Sequence, residues 1–419
     1  MALFKSKQVA GVDGLSLTLA EKRLLYLLAA IQFFNIVDFM IMMPLGPMLS
    51  RSLGINTAQF GVLVSSYTFA GAASGLVFAV FADRFERKRL FITVFACFIA
   101  STLACALSPS YEWLLVARAM AGVFGGVLGA MVNTVVADTV APQRRAQAMG
   151  IVSTAFAVST VIGVPAALWL ANHVAFSVFA GWRAPFWAVS LGAVALGAAL
   201  VQHLPKGVTP KPAQAGELAA AIGRIRSVLL DANHQRALVL MVVIMLSSFT
   251  VIPYLTIYAT RNVGFPESSL WLMYLLGGMV TLFSSPRIGK WADAAGKLKV
   301  FRIMLVLSAI PMLAITHVGA VPAWVYLCIT TMFFVMVNGR VVPGQALIAG
   351  AAHASQRGTF MGLNAAAMSL GLGIASFTGG HLISETSSAQ IVGFNWAGYV
   401  AVSAAALAFW LAGRVQQRA

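Results

Sequence analysis

Residues 79–88 read Ala79-Val-Phe-Ala-Asp83-Arg84-Phe-Glu86-Arg87-Lys88, and residues 289–297 read Gly289-Lys-Trp-Ala-Asp293-Ala-Ala-Gly296-Lys297. An Ala-Asp step followed by basic residues thus recurs after 210 positions. A second pair, Arg145-Ala-Gln-Ala-Met-Gly150 and Arg357-Gly-Thr-Phe-Met-Gly362, recurs after 212. Both motifs lie in short polar breaks between long apolar runs, so the repeating unit is a set of membrane-crossing segments. Twelve such runs start near positions 24, 60, 90, 113, 148, 184, 237, 268, 300, 323, 358 and 395. Each holds about 20 mostly apolar residues, enough to cross a bilayer as a helix. Their Ala, Leu, Gly and Val do not alternate with polar residues, which argues against barrel strands. The longest polar stretch, 205–236, carries Pro205, Pro210 and Pro212 and divides the runs six and six. The expected fold is an all-α membrane protein, with twelve transmembrane helices in two pseudo-symmetric six-helix bundles. The expected division is a lead over 1–23, a bundle over 24–204, a central loop over 205–236, a bundle over 237–413 and a tail over 414–419.

The composition agrees. Of 419 residues, 60% are hydrophobic and 10% charged, against about 25% charged in soluble domains, which excludes a soluble globular enzyme. A net charge of +16 would suggest nucleic acid in a soluble chain; here it reports topology, and no nucleic-acid partner is expected. Of the 28 Lys and Arg, Arg118 and Arg340 lie inside spans and Arg51, Arg183 and Arg261 in one set of loops. All others fall in the alternate loops and the two ends. The positive-inside rule makes that side and both termini cytoplasmic, in a bacterial-type inner membrane. The first apolar run is full length and follows about 20 polar residues, so no cleavable signal is expected. No phosphate-binding loop is present, which excludes ATP drive. No catalytic constellation suggests an enzyme, and Cys97, Cys105 and Cys328 have neither disulfide nor metal spacing.

The loop at 79–88 looks like the G-x-L-a-D-R-x-G-R-[KR] signature of the major facilitator superfamily, with Ala79 and Glu86 standing where the signature has glycines. The second copy keeps Gly289 and Gly296 but has no arginine after Asp293. Asp38-x-x-x-x-x-Pro44-Leu-Gly-Pro47 in the first span and Arg118-Ala-Met-Ala-Gly122 in the fourth resemble the drug:proton antiporter branch of twelve-span proteins. In the fifth span, Gly163-Val-Pro165-Ala166-Ala167 stands where that branch carries Gly-Pro and paired glycines. The resemblance implies two bundles rocking about a central cavity lined by the first, fourth, seventh and tenth spans. It also implies a conformational gate at Asp83, Arg84, Arg87, Lys88, Asp293 and Lys297. Gly163 and Pro165 are expected to bend the fifth span, because proline removes a backbone donor.

Of the twelve acidic residues, only Asp38 lies well inside a span. A carboxylate there is costly and is by default a functional candidate. Arg118 is its natural partner, since both lie a similar distance from the same ends of their spans at about 1.5 Å per residue. The expected proton-coupling pair is therefore Asp38 and Arg118, the alternative being a structural ion pair. Gln32, Asn35 and Asn133 extend the polar faces of these helices and are substrate-binding candidates. So are Met241, Met245, Tyr254 and Tyr258 in the seventh span, the tyrosines four apart and able to stack on a solute. Asn338 and Arg340 complete the set; Arg340 has no acid in its own span, so it suits an anionic group or an inner gate. The methionines, with Met40, Met42 and Met43, also allow a copper-import reading, since thioethers suit Cu(I). The six histidines lie near span ends without metal spacing and are expected to be solvated or capping, with His381 a secondary titrating candidate.

The function expected from these readings is proton-coupled efflux of a small organic molecule by alternating access. Its partners are the solute, protons and the lipid bilayer, with no cofactor beyond the proton gradient and a monomer as the working unit. The alternatives are a proton-coupled importer or facilitator of a small nutrient, and a membrane sensor that keeps the fold without transport.

Overall fold

The computed structural model describes residues 17–81, 85–141, 144–174, 181–203, 217–387 and 389–418. Among the described residues, twelve helices are long and apolar enough to cross a membrane. They begin within a few residues of the expected starts, mostly earlier, because most first turns carry polar residues that a count of apolar ones misses. The first span, Leu19–Ile41, opens on a reciprocal cap in which Thr18 Oγ1 accepts from the Glu21 amide and Glu21 Oε2 accepts from the Thr18 amide. The seventh, starting with Ala232–Phe249, opens on Asp231, whose carboxylate accepts from the amides of Asn233 and His234 at 2.8 and 2.9 Å. The stretch expected as a loop over 205–236 contains a helix, Glu217–Leu230, with Arg224 and Arg226 on it.

Three spans are interrupted, and each interruption has a cause in the sequence. The first stops at Ile41, turns through Met42–Leu45 around Pro44 and resumes as Gly46–Leu53, ending on Gly54 at φ 64°. Asp38 therefore sits in the last turn of regular helix rather than mid-helix. The fifth runs Arg145–Val158, passes through a π-helical turn at Ser159–Gly163 and continues as Val164–His173 with Pro165 in its first turn. The seventh changes to a 3-10 turn at Ile252–Tyr254 around Pro253, then to Leu255–Tyr258 and a π turn at Ala259–Val263.

Within the first half, the second span (Thr57–Phe81) packs on the fourth (Tyr111–Thr139), the third (Arg87–Leu107) on the fourth and on the sixth (Arg183–His203), and the first on the fifth and sixth. The second half repeats this plan with its eighth (Leu270–Ala295), ninth (Lys297–His317), tenth (Ala323–Ala349), eleventh (Arg357–Leu382) and twelfth (Phe394–Ala412) spans. The halves meet where the second span lies on the eleventh and the fifth on the eighth. Glycines make the closest approaches possible: a Cβ on Gly122 would lie 2.2 Å from the Tyr67 carbonyl oxygen, and one on Gly126 2.6 Å from that of Gly71.

The two faces of the molecule differ. On the face opposite the basic loops, polar contacts tie the halves together: Arg51 pairs with Glu267 at 2.6 Å, Thr57 Oγ1 donates to the Ile383 carbonyl at 2.8 Å, and Thr256 Oγ1 donates to that of Met43 at 3.2 Å. On the basic-loop face, the ion pairs among the described residues stay within one half: Arg144 with Glu21 (2.8 Å), Arg87 with Asp138 (3.4 Å) and Arg418 with Asp231 (2.7 Å).

Candidate functional site

Asp38 and Arg118 meet inside the first half. Arg118 Nη1 donates to Asp38 Oδ2 at 3.0 Å and to the Asp38 carbonyl at 3.2 Å, and Thr102 Oγ1 donates to Oδ1 at 3.2 Å. Neither charge reaches solvent, at 0% and 1% exposure. The Tyr67 ring lies 4.4 Å from the guanidinium carbon and covers it. The tyrosine hydroxyl donates to Asn35 Oδ1 at 3.2 Å, and Asn35 Nδ2 donates to the Gly125 carbonyl at 3.2 Å. A charge pair drawn from the first and fourth spans is thus enclosed by the second and third, and by Phe186 of the sixth at 5.9 Å. Thr102 and Tyr67 were not legible as site residues, since neither type stands out in an apolar helix. The one signal available was their helical depth relative to Asp38.

Arg340 is the buried arginine of the second half; it lies 222 positions after Arg118, further along its span than the 210-residue offset would place it. It too is fully buried, and it donates from Nη1 to Ser308 Oγ at 3.0 Å and from Nη2 to Ser248 Oγ at 2.8 Å. These partners come from the ninth and seventh spans, as Thr102 and Asp38 come from the third and first. Ser248 stands 210 positions after Asp38, the offset that relates Asp83 to Asp293. Each serine donates its own proton to a helix carbonyl, Ser248 to Ile244 at 3.1 Å and Ser308 to Leu305 at 2.8 Å, leaving lone pairs for the arginine. In both halves a buried arginine of the fourth or tenth span is thus held from the first and third or the seventh and ninth, by a carboxylate in one half and by hydroxyls in the other.

The other candidates divide. Asn35 joins the Asp38 cluster; Gln32 is half-buried on the same helix with Oε1 unpartnered, and Asn133 is exposed. Asn338 donates to the Phe334 carbonyl of its own helix at 2.9 Å, away from the Arg340 bonds. Met241 and Met245 are buried in the core of the second half, while Met42 and Met43 belong to a different cluster, so the methionines do not converge. The shared stacking face expected of Tyr254 and Tyr258 is not formed, because the helix changes pitch between them. Tyr254 donates to the Ser376 carbonyl and packs edge-on to Phe60; Tyr258 donates to the Val318 carbonyl at 2.8 Å and packs on Phe394. Gly163 lies against the first span, where a Cβ would sit 2.4 Å from Val37 Cγ2. Asp83 and Arg84 fall outside the described residues. Arg87 reaches Asp138, Lys88 is half-buried, and Asp293 and Lys297 are exposed. His234, expected to be solvated or capping, is fully buried against Phe360 with ring centroids 4.9 Å apart. His381 is exposed and bonded to the Phe377 carbonyl at 2.9 Å.

Two six-span halves, each with an arginine buried at the same junction of three helices, define a membrane protein built by duplication around a polar interior. A family model for the Major Facilitator Superfamily matches residues 28–339 and 237–418, and the chain belongs to that family of membrane transporters. Solved structures share the fold at low identity. A bacterial homolog of the human lysosomal transporter Spinster, inward-facing and unoccupied, is 15% identical, covering 96% of this chain and 98% of that one at a TM-score of 0.75. A D-xylose-proton symporter is 14% identical, with 94% and 96% covered and a TM-score of 0.72. A nucleoside transporter is 12% identical, with 95% and 100% covered and a TM-score of 0.72.

Proposed function

We propose that this transporter exports a small organic molecule in exchange for protons, with Asp38 as the proton-carrying group and Arg118 as the group its charge controls. The observation that carries the reading is the buried Asp38–Arg118 pair, since a carboxylate inside a span is kept at a cost that structure alone does not require. Ionised, Asp38 holds Arg118 by a direct salt bridge. Protonated, it loses the Coulomb attraction, and Arg118 keeps neutral partners alone, the Asp38 carbonyl, Cys105 and the Tyr67 and Phe186 rings. That loosens the junction of the first and fourth spans and biases the equilibrium between the two access states. The motifs at Asp38 and Arg118 support the drug:proton antiporter branch.

The excess of Lys and Arg in those loops supports a cytoplasmic position for that face and both ends, in a bacterial-type inner membrane. With that orientation, the state described here is closed outside by Arg51–Glu267 and Thr57–Ile383. One buried cluster joins Ile41, Phe60 and Phe186 of the first half to Tyr254, Tyr326 and Phe394 of the second within a single chain, which favours a monomer as the working unit. The likeness to a D-xylose-proton symporter favours a second reading, proton-coupled import of a nutrient, which uses the same pair with the solute moving the other way.

The test is solute flux in proteoliposomes under an imposed pH gradient, with native protein and Asp38→Asn. Flux that follows the gradient in the native protein and loses its pH dependence in the variant is expected. Flux opposite in direction to the proton identifies export, and flux in the same direction identifies import. Unchanged pH dependence in Asp38→Asn removes the carboxylate from the mechanism.

A further inference from the structure

We propose that the transported solute carries an anionic group, and that this group is the counter-ion Arg340 lacks. The inference rests on the transporter reading above and names its substrate class. A buried guanidinium is normally paired with a carboxylate, because removing an ion from water without an opposite charge is unfavourable. Arg118 obeys the rule through Asp38. Arg340 does not: its described partners are the neutral hydroxyls of Ser248 and Ser308, while its Nε, like that of Arg118, has no hydrogen-bond partner. Among the residues whose side chains are described, the acids that the second half contributes are engaged elsewhere or lie outside. Asp231 pairs with Arg418, Glu267 with Arg51 and Glu385 with Arg261, and Asp293 is exposed. The repeat sharpens the point, since Ser248 occupies the position that Asp38 holds in the first half. The interior therefore carries one neutral pair and one uncompensated positive charge, which attracts an anion and repels a cation.

The access route follows from the break in the seventh span. Ser248 lies one residue before the end of its helix at Phe249, and the segment beyond touches the first half directly. There Thr256 donates to the Met43 carbonyl, and a Cβ on Gly46 would lie 2.8 Å from Ile257 Cγ1. Separating the halves on that face pulls on the segment joined to Ser248 and opens the seventh span away from the ninth and tenth. Arg340 is sealed in the state described and is uncovered by that motion.

The test supplies an internal counter-ion. Ser248→Asp recreates in the second half the pair found in the first, and Ser308→Asp approaches the same guanidinium from the ninth span. Thermal unfolding of the purified protein is measured with benzoate, salicylate and glutarate as organic anions, tetraphenylphosphonium as a cation and glucose as a neutral solute. The native protein is expected to be stabilised by at least one anion and not by the cation. At least one aspartate variant is expected to show a higher Tm without ligand, together with a tenfold or greater loss of apparent anion affinity. Arg340→Gln is expected to lose the anion response. Tm values at or below the native one for both aspartate variants overturn the proposal, because Arg340 then lacks no counter-ion. Undiminished anion binding in both variants overturns it, as does stabilisation of the native protein by no anion. Flux of the same solutes in proteoliposomes separates the two levels. Anion binding without flux contradicts the transport mechanism and leaves the anion site, whereas flux of cations or neutral solutes that survives Ser248→Asp leaves the transport mechanism and contradicts the anion site.

Discussion

At the scale of single residues, a fixed charge inside the first half makes its partner indispensable. Removing Arg118 leaves the Asp38 carboxylate buried with only Thr102 to bond it, and breaking a buried pair from one side costs about 3–5 kcal/mol. Arg118→Met is therefore expected to lower Tm strongly, while Asp38→Asn combined with Arg118→Met recovers much of the loss, because no isolated charge remains. Thermal unfolding of both variants, with Asp38→Asn alone closing the cycle, measures the coupling. Asp231 supplies a second case, outside the membrane. Burial raises its pKa, but hydrogen bonds from Arg418 and from the amides of His234 and Asn233 outweigh that and bring it down to about 2. A depressed carboxylate stabilises the fold above its ordinary value near 3.8, and the contribution is lost as pH falls through 2. Asp231→Ala is expected to cost about 0.5–2 kcal/mol at pH 7 through the lost cap, with a smaller deficit near pH 2; an equal deficit at both pH values would exclude the ionised carboxylate as the source. The meeting of Asp38 with Arg118 was legible because a charged residue in an apolar run is conspicuous and helix rise fixes its depth. Ser248 and Ser308 were not, because serine is unremarkable in a span; only the 210-residue offset picks out the first. His234 was misread for the opposite reason, since three positions after Asp231 it looks like a loop residue and is in fact enclosed by Phe360.

At the scale of elements, the interrupted spans concentrate the consequences. The π turn at Ser159–Gly163 brings Gly163 against Val37, the residue before Asp38, and Ser159 Oγ donates to the Phe33 carbonyl at 3.2 Å. Gly163→Ala forces a methyl into that contact, an overpacking that costs about 1–3 kcal/mol, and is expected to shift the pH dependence of transport along with Tm. A drop in Tm with an unchanged pH profile would show that the fifth span does not position Asp38. Pro165 marked one deviation, but Pro286, Pro311 and Pro343 lie inside unbroken helices while Pro44 and Pro253 do not, so whether a proline becomes a turn, a π bulge, a 3-10 segment or no break depends on neighbouring helices that no single span encodes. The helix Glu217–Leu230 was hidden for a related reason, as its charges and flanking prolines read as a loop when only apolar length is counted.

At the scale of the whole molecule, twelve spans and a six-plus-six division followed from run length and the internal repeat, both properties of the chain read alone. Which face is sealed did not, because the closure is spread over Arg51, Thr57, Thr256 and their partners, none of them a motif. Arg51 with Glu267 is partly exposed, so its net worth is about 0.2–1 kcal/mol. Glu267→Gln is accordingly expected to shift the balance between access states by at most about fivefold, measured as a change in the distance distribution between spin labels at positions 52 and 268. A complete collapse of the closed population would mean that this pair, rather than the distributed contacts, holds the face shut.

The most direct measurement is proton movement driven by solute in everted membrane vesicles, comparing native protein with Asp38→Asn across organic anions, cations and neutral compounds. Dissipation of the proton gradient by an anionic solute with the native protein, and its loss with Asp38→Asn, is the expected result. Solute transport by both proteins at equal rates with the same pH profile would contradict proton exchange through Asp38.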